Sequence, residues 1–476
     1  MKSKAWRSHI LFEKEMTDIL RIGPFFLGLL MFCPLAFPAS VQWNEQVLYS
    51  FQNGTDGATP TGAVVFDKSG NLYGVTQNGG AATCLSPDAC GTVYELTPPA
   101  QTGGAWTETV LYVFKGYTYG DGATPEGGLV IDDAGNLYGT TGYGGTGACL
   151  LLGGPVGCGT VYELSPPAQI GDPWTERVLY SFQGGNDGFV AYGDLAFDKA
   201  GNLYGATLFG GGKGTTCDSL YGGQCGTVFA LSPPRVKGGR WTERVLHRFA
   251  GVAQGVKFGD GASPNGGLVI DTTGHLYGTT LQGGYNCPHN SNQGCGTVFA
   301  LVPPTEKGSG WTEKLLHVFM NGADGTLPTD GVILGGKGSL YGAANGGSKL
   351  SGIVFKLSDT AAGTWQDTIL YEAGNGLEYY FAPAVSGFDS SGSLYGTTNV
   401  GPPAAVDGSV FRLEAPAEDG QTWDLNLLYA FTGGSDGGYP NAKLIRQASY
   451  LFGTTQEGGD GSACQFGCGT IFRVTP

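Results

Sequence analysis

Residues 126–182 read EGGLVID-DAG-NLYGTT-GYGGTGACLLLGGPVGC-GTVYEL-SPPAQIGDP-WTERVLYSF, and the punctuation of this stretch decides the fold. Four short runs (126–132, 136–141, 159–164 and 174–182) are rich in β-branched and aromatic residues. Asp-Ala-Gly, Gly/Cys and Pro-Pro segments separate them, so each run reads as a strand and each break as a turn. The unit recurs. Its Leu-Tyr-Gly tyrosines are Tyr73, Tyr138, Tyr204, Tyr277, Tyr341 and Tyr395, with Phe452 in the seventh copy. A tryptophan opens the fourth run each time, at Trp43, Trp106, Trp174, Trp241, Trp311, Trp365 and Trp423. Four strands per unit in seven copies predict an all-β, seven-bladed β-propeller of four-stranded blades.

The phase of the repeat bears on closure. The array starts on a Trp-bearing outer strand at Trp43 and ends on a third-strand run, 468–474. The N-terminal strand is therefore expected to complete the last blade, leaving no open sheet edge. Composition agrees. Of 476 residues 86 are Gly and only 14% are charged, while 41% are hydrophobic. That excludes a helical protein, where each Gly costs about 1 kcal/mol, and excludes a disordered one. The net charge of −15 makes nucleic acid and anionic membrane surfaces poor partners. A cation or a neutral polar ligand is easier to accommodate.

The Leu-Tyr-Gly-Thr-Thr, Cys-Gly-Thr-Val-Tyr-Glu-Leu and Trp-Thr-Glu series over residues 43–476 resemble the tandem repeat named after Gloeobacter and Verrucomicrobium. The resemblance implies an exported bacterial protein and a repeat array, and it supplies no catalytic residues. Members of that family carry differing C-terminal sorting anchors, whereas this sequence stops at Pro476 directly after a strand. The blade order also resembles NHL-type propellers at the level of fold alone.

Residues 24–37, PFFLGLLMFCPLAF, form an uncharged run of signal-peptide length preceded by Arg21. Residues 1–39 are read as a signal peptide and 40–476 as the propeller, with no membrane span in the mature chain. A secreted, extracellular or periplasmic monomer is expected. Cysteine usage points the same way. Apart from Cys33, the cysteines fall in the loops between second and third strands as Cys84/Cys90, Cys149/Cys158, Cys217/Cys225, Cys287/Cys295 and Cys464/Cys468. The fifth and sixth units lack both members. Both-or-neither occupancy is what a disulfide inside each loop requires, in an oxidising compartment.

Among polar series, the Asp-Gly loops contribute Asp56, Asp121, Asp187, Asp260, Asp324 and Asp436, with Asn375 in the sixth unit. A Ca²⁺ ring is one use for them, but Asp-Gly is chiefly a turn device, and no cofactor is expected. Asp67, Asp132, Asp198, Asp271 and Asp389 begin the Asp-x-x-Gly turn. The Tyr and Trp series read as inter-blade core. His247 and His317 replace the Tyr of the outer strand, and His275 replaces an Asn.

A single site in a repeat protein should lie where the repeat is broken. The breaks are Tyr192 and Asp194 in the third inner strand, Asp330 and Lys443 at neighbouring inner-strand positions, Tyr285, Asn286 and His289 in the fourth cysteine loop, and Glu378, Tyr379 and Tyr380 in the sixth unit. Carboxylates, an amide and aromatics suit an extracellular glycan or another surface polymer, while ordinary loop drift is the alternative. No HExxH or Walker run occurs. The expectation is a non-catalytic binding propeller. A secreted propeller enzyme (lyase, glycosidase or lactonase-like) and a purely structural envelope scaffold are the alternatives.

Overall fold

The chain divides into residues Met1–Val41 and Gln42–Pro476, and the propeller is the second unit. The computed structural model describes residues 43–475 except 81–89, 102, 152–153, 170, 213–224, 237, 253–258, 286, 288–293, 307, 350–351, 361–362, 375–382, 400–406 and 419–420. Seven antiparallel blade sheets follow one another, the first six running from inner to outer strand in chain order. The first blade is Ala58–Phe66, Leu72–Asn78, Thr92–Thr97 and Thr107–Val113. The seventh is Ile445–Gln447, Tyr450–Thr455, Thr470–Thr475 and then Asn44–Ser50 from the start of the array. Asn44 pairs with Thr475 and Ser50 with Thr470, so the N-terminal strand does complete the last blade.

The inner strands are less regular than the sequence suggests. In the second blade the expected 126–132 strand is split into Gly122–Pro125 and Val130–Ile131. The first, third and fourth blades slip register at the same place, between Thr61 and Val65, Tyr192 and Ala196, and Asn265 and Val269. The cause is a bulge at Gly62, Gly193 and Gly266, whose φ values of 69°, 82° and 71° suit only glycine.

Each Leu-Tyr-Gly glycine lies under an aromatic ring of the third strand in its own blade. The pairs are Gly74–Tyr94, Gly139–Tyr162, Gly205–Phe229, Gly278–Phe299, Gly342–Phe355, Gly396–Phe411 and Gly453–Phe472. A Cβ on Gly205 would stand 2.5 Å from Phe229 Cζ. Between blades, the Phe that ends one outer strand packs on the next blade's third-strand ring, as in Phe114–Tyr162 at 5.0 Å and Phe249–Phe299 at 5.2 Å. The Trp of one blade meets the Leu-Tyr-Gly tyrosine of the blade before it: Tyr73–Trp174, Tyr138–Trp241, Tyr204–Trp311, Tyr277–Trp365 and Tyr395–Trp43, at 6.0–6.3 Å. Phe452 meets Trp106 in the same way.

The recurring carboxylates serve the turns. Asp67 Oδ1 accepts the N–H groups of Ser69 and Asn71, and Oδ2 accepts the Tyr73 hydroxyl. Asp132, Asp198, Asp271 and Asp389 repeat the pattern. In the Asp-Gly loops, Asp56 accepts the Tyr49 hydroxyl together with the N–H groups of Gln52 and Gly54. Where the Tyr is replaced, His247 and His317 bring Nε2 to 3.2 Å from Asp260 and 3.4 Å from Asp324. Cys149–Cys158, Cys287–Cys295 and Cys464–Cys468 form disulfides within single loops. Cys90 and Cys225 are disulfide-bonded as well, while Cys84 and Cys217 lie outside the described residues.

One series strains the seams. Glu45, Glu108, Glu176, Glu243 and Glu313 of the Trp-x-Glu motif each bury a carboxyl oxygen that receives no hydrogen bond. Burial first, and then in each blade the Asp of its Asp-Gly loop (Asp436, Asp56, Asp121, Asp187 and Asp260), pushes each of the five up to about 7. Lys115, Arg248 and His247 counter the effect at Glu176, Glu243 and Glu313. Because the folded state holds these protons more tightly than the unfolded chain, their contribution is fully present below about pH 4.5 and is lost as pH rises through about 7. Glu108→Gln should therefore melt higher than the wild type at pH 8, with the advantage gone at pH 5, as followed by thermal unfolding at both values. Gly205→Ala should cost about 1–3 kcal/mol in denaturant titration, because Phe229 must move. Tyr162→Phe, which removes a buried hydroxyl without a partner, should be neutral or stabilise by up to about 1 kcal/mol in the same assay.

Candidate functional site

The inner strands meet around the axis through their glycines. A Cβ on Gly128 would lie 2.7 Å from both Asp194 Oδ1 and the Ala63 carbonyl, and one on Gly267 would lie 2.8 Å from Asp194 Cβ. Neighbouring blades thus leave room for one side chain where most copies have none. Asp194 takes that room, and its Oδ1 accepts the Gly128 N–H at 2.7 Å.

This crowding leaves a cavity of about 310 Å³ on the axis, lined from the first, second, third, fourth, fifth and seventh blades. It lies where the inner strands begin and the second strands end, on the side of the Asp-Gly and cysteine loops. Tyr192, Asp194, Asp330 and Lys443, four of the repeat-breaking residues, all line it. Lys443 Nζ stands 3.3 Å from Asp330 Oδ1 and 3.9 Å from Asp194 Oδ2. Asp330 Oδ1 also accepts the Gly331 N–H at 2.7 Å, whereas its Oδ2 is buried without a donor. Burial pushes the Asp330 carboxyl up against the pull of Lys443. Burial alone would lower the Lys443 ammonium, but the two carboxylates outweigh it and hold it above its ordinary value. Tyr192 is pushed up to about 12 by burial and by the charges of Glu126, Asp330 and Asp194.

Sequence reasoning missed Glu126 and Gln77. Both line the cavity, Gln77 Nε2 donates to Glu126 Oε1 at 3.0 Å, and burial pushes the Glu126 carboxyl up. The signal was positional. Thr61, Glu126, Tyr192, Thr329 and Asn441 all occupy the inner-strand position that the repeat aims at the axis. Tyr285 is not among the residues that line the cavity. Tyr285 sits in the fourth cysteine loop, 37% exposed, where its carbonyl accepts the Cys295 N–H. Asn286, His289, Glu378, Tyr379 and Tyr380 lie outside the described residues. Among the described residues no three His, Cys, Asp or Glu side chains gather at metal-binding distance. The carboxylates of the Asp-Gly loops are occupied by donors of their own turns.

No curated protein matches the chain. Among solved structures it is similar to a putative oxidoreductase (glucose dehydrogenase) from Thermus thermophilus, at 14% identity over 91% of this chain and 99% of that one, with a TM-score of 0.41. It is likewise similar to the PQQ-bound aldose sugar dehydrogenase from Streptomyces coelicolor, at 12% identity over 91% and 98%, TM-score 0.41. A crystallised glucose dehydrogenase gives 14% identity over 90% and 99%, TM-score 0.41. These likenesses are too distant to bear on activity or ligand. The model of the Gloeobacter/Verrucomicrobia repeat matches residues 148–377, from the cysteine loop of the second blade to the entry of the sixth. Through that span the chain carries the Gloeobacter/Verrucomicrobia repeat, on a seven-bladed propeller.

Proposed function

We propose that the protein is an exported, non-catalytic propeller that binds a saccharide unit of an extracellular or surface polymer in its axial cavity. The observation that carries this reading is the meeting of four repeat-breaking side chains, Tyr192, Asp194, Asp330 and Lys443, in one cavity. Its volume is that of a small-ligand site, and its lining offers carboxylates, amides and a tyrosine, the groups that hydroxyl-rich ligands use. Among the described residues the lining contains no His, Cys or Ser, and the Lys443 ammonium is held by two carboxylates, which favours binding over nucleophilic catalysis.

Export rests on separate support: the signal-like segment 1–39 and the intra-loop disulfides. Among the described residues no helix is long and apolar enough to cross a membrane. Cell fractionation with an epitope-tagged chain should find the protein outside the cytoplasm. A glycan array followed by calorimetry on the best hit should give a saturable isotherm. Tyr192→Ala should weaken it about 30-fold, the loss typical of an aromatic anchor, with folding checked by thermal melting. The absence of binding to any glycan, or an unchanged affinity in a folded Tyr192→Ala, would overturn the reading.

A further inference from the structure

We infer that the axial cavity selects a saccharide carrying a protonated amine, an amino sugar, over neutral and acidic sugars. This rests on the cavity being a saccharide site and adds its charge preference. The argument is a count of donors and acceptors around the cavity. Among the described lining residues, three carboxylates, Glu126, Asp194 and Asp330, stand against one ammonium, Lys443. That ammonium is already shared between Asp330 and Asp194. The Gln77 amide is turned to Glu126 and the Asn265 amide to the Thr329 carbonyl. The Thr61 hydroxyl donates to the Pro125 carbonyl.

Two of the lining donors, Gln77 and Thr61, are thus directed into the wall, and among the described lining residues carboxylates outnumber ammonium groups three to one. Of the lining residues, Asp330 has one carboxyl oxygen, Oδ2, that receives no hydrogen bond. A buried acceptor without a donor costs free energy that a partner can recover. Charge follows the same balance: the Tyr192 hydroxyl feels the charges of all three carboxylates. A ligand ammonium supplies three N–H donors and one positive charge together. A ligand carboxylate would meet three of its own kind in a confined space, where like charges discriminate strongly.

Calorimetry on the full chain with glucose, glucosamine, N-acetylglucosamine and glucuronate, at a pH where the amine is protonated, tests this. Glucosamine is expected to bind at least about tenfold more tightly than glucose or N-acetylglucosamine, and glucuronate not at all. Glu126→Gln and Asp194→Asn, each checked for folding by melting, should shrink the glucosamine-to-glucose ratio to within about threefold. Equal affinity for glucose and glucosamine, or a ratio unchanged in both variants, would overturn the charge preference and leave the saccharide reading standing. Binding of none of the four at millimolar concentration, together with a blank glycan array, would remove both.

Discussion

Everything in this ring hangs on the space under seven aromatic rings. The third strand of each blade carries a Tyr or Phe whose ring tip reaches the second-strand glycine, and only hydrogen fits there. With that ring lowered into the sheet, a Phe of the neighbouring blade packs against it in six of the seven blades, at 4.9–5.5 Å between centroids. Glycine in a strand usually weakens it. Here the missing side chain is what allows two blades to share one aromatic layer.

Substitutions inside the repeat obey the same physical logic. In six blades the second and third strands are joined by a buried hydroxyl pair, such as Thr76 with Thr92 or Thr398 with Ser409 at 2.8 Å. In the fifth blade both partners change together, to Ala344 and Ile353. Losing one hydroxyl would strand the other, whereas exchanging both for apolar groups costs little. The sixth blade places Leu425 where five sister blades bury a glutamate with an unpartnered oxygen. An apolar side chain is the simpler occupant of that position.

Blade count, closure, loop cysteines and the turn role of the aspartates were legible because each is local and repeated. A Cys absent with its partner, or a His standing for a Tyr opposite the same Asp, carries its explanation within a few residues of sequence. The axial cavity was only half legible. Tyr192, Asp194, Asp330 and Lys443 stood out as departures from the repeat, but nothing in one dimension says that residues so far apart in the chain meet across an axis. Glu126 and Gln77 escaped notice because they look like ordinary members of their strands. What marks Glu126 is its place just before the inner-strand glycine Gly127, and what marks Gln77 is its hydrogen bond to Glu126 across two blades; neither is visible along a single strand. For the same reason the split inner strand of the second blade was read as continuous.

Closure by the N-terminal strand has a consequence in time. A chain emerging from a ribosome or a translocation pore presents Asn44–Ser50 first, yet the strand it must pair with, Thr470–Thr475, is the last to appear. The opening strand therefore spends the whole of synthesis without its partner, while the blades behind it form in order. Each loop disulfide joins cysteines only 4 to 9 residues apart, so every cross-link can be made as soon as its own blade is out. Oxidation can proceed blade by blade, and the ring stays open until the final strand arrives to take its place beside the first.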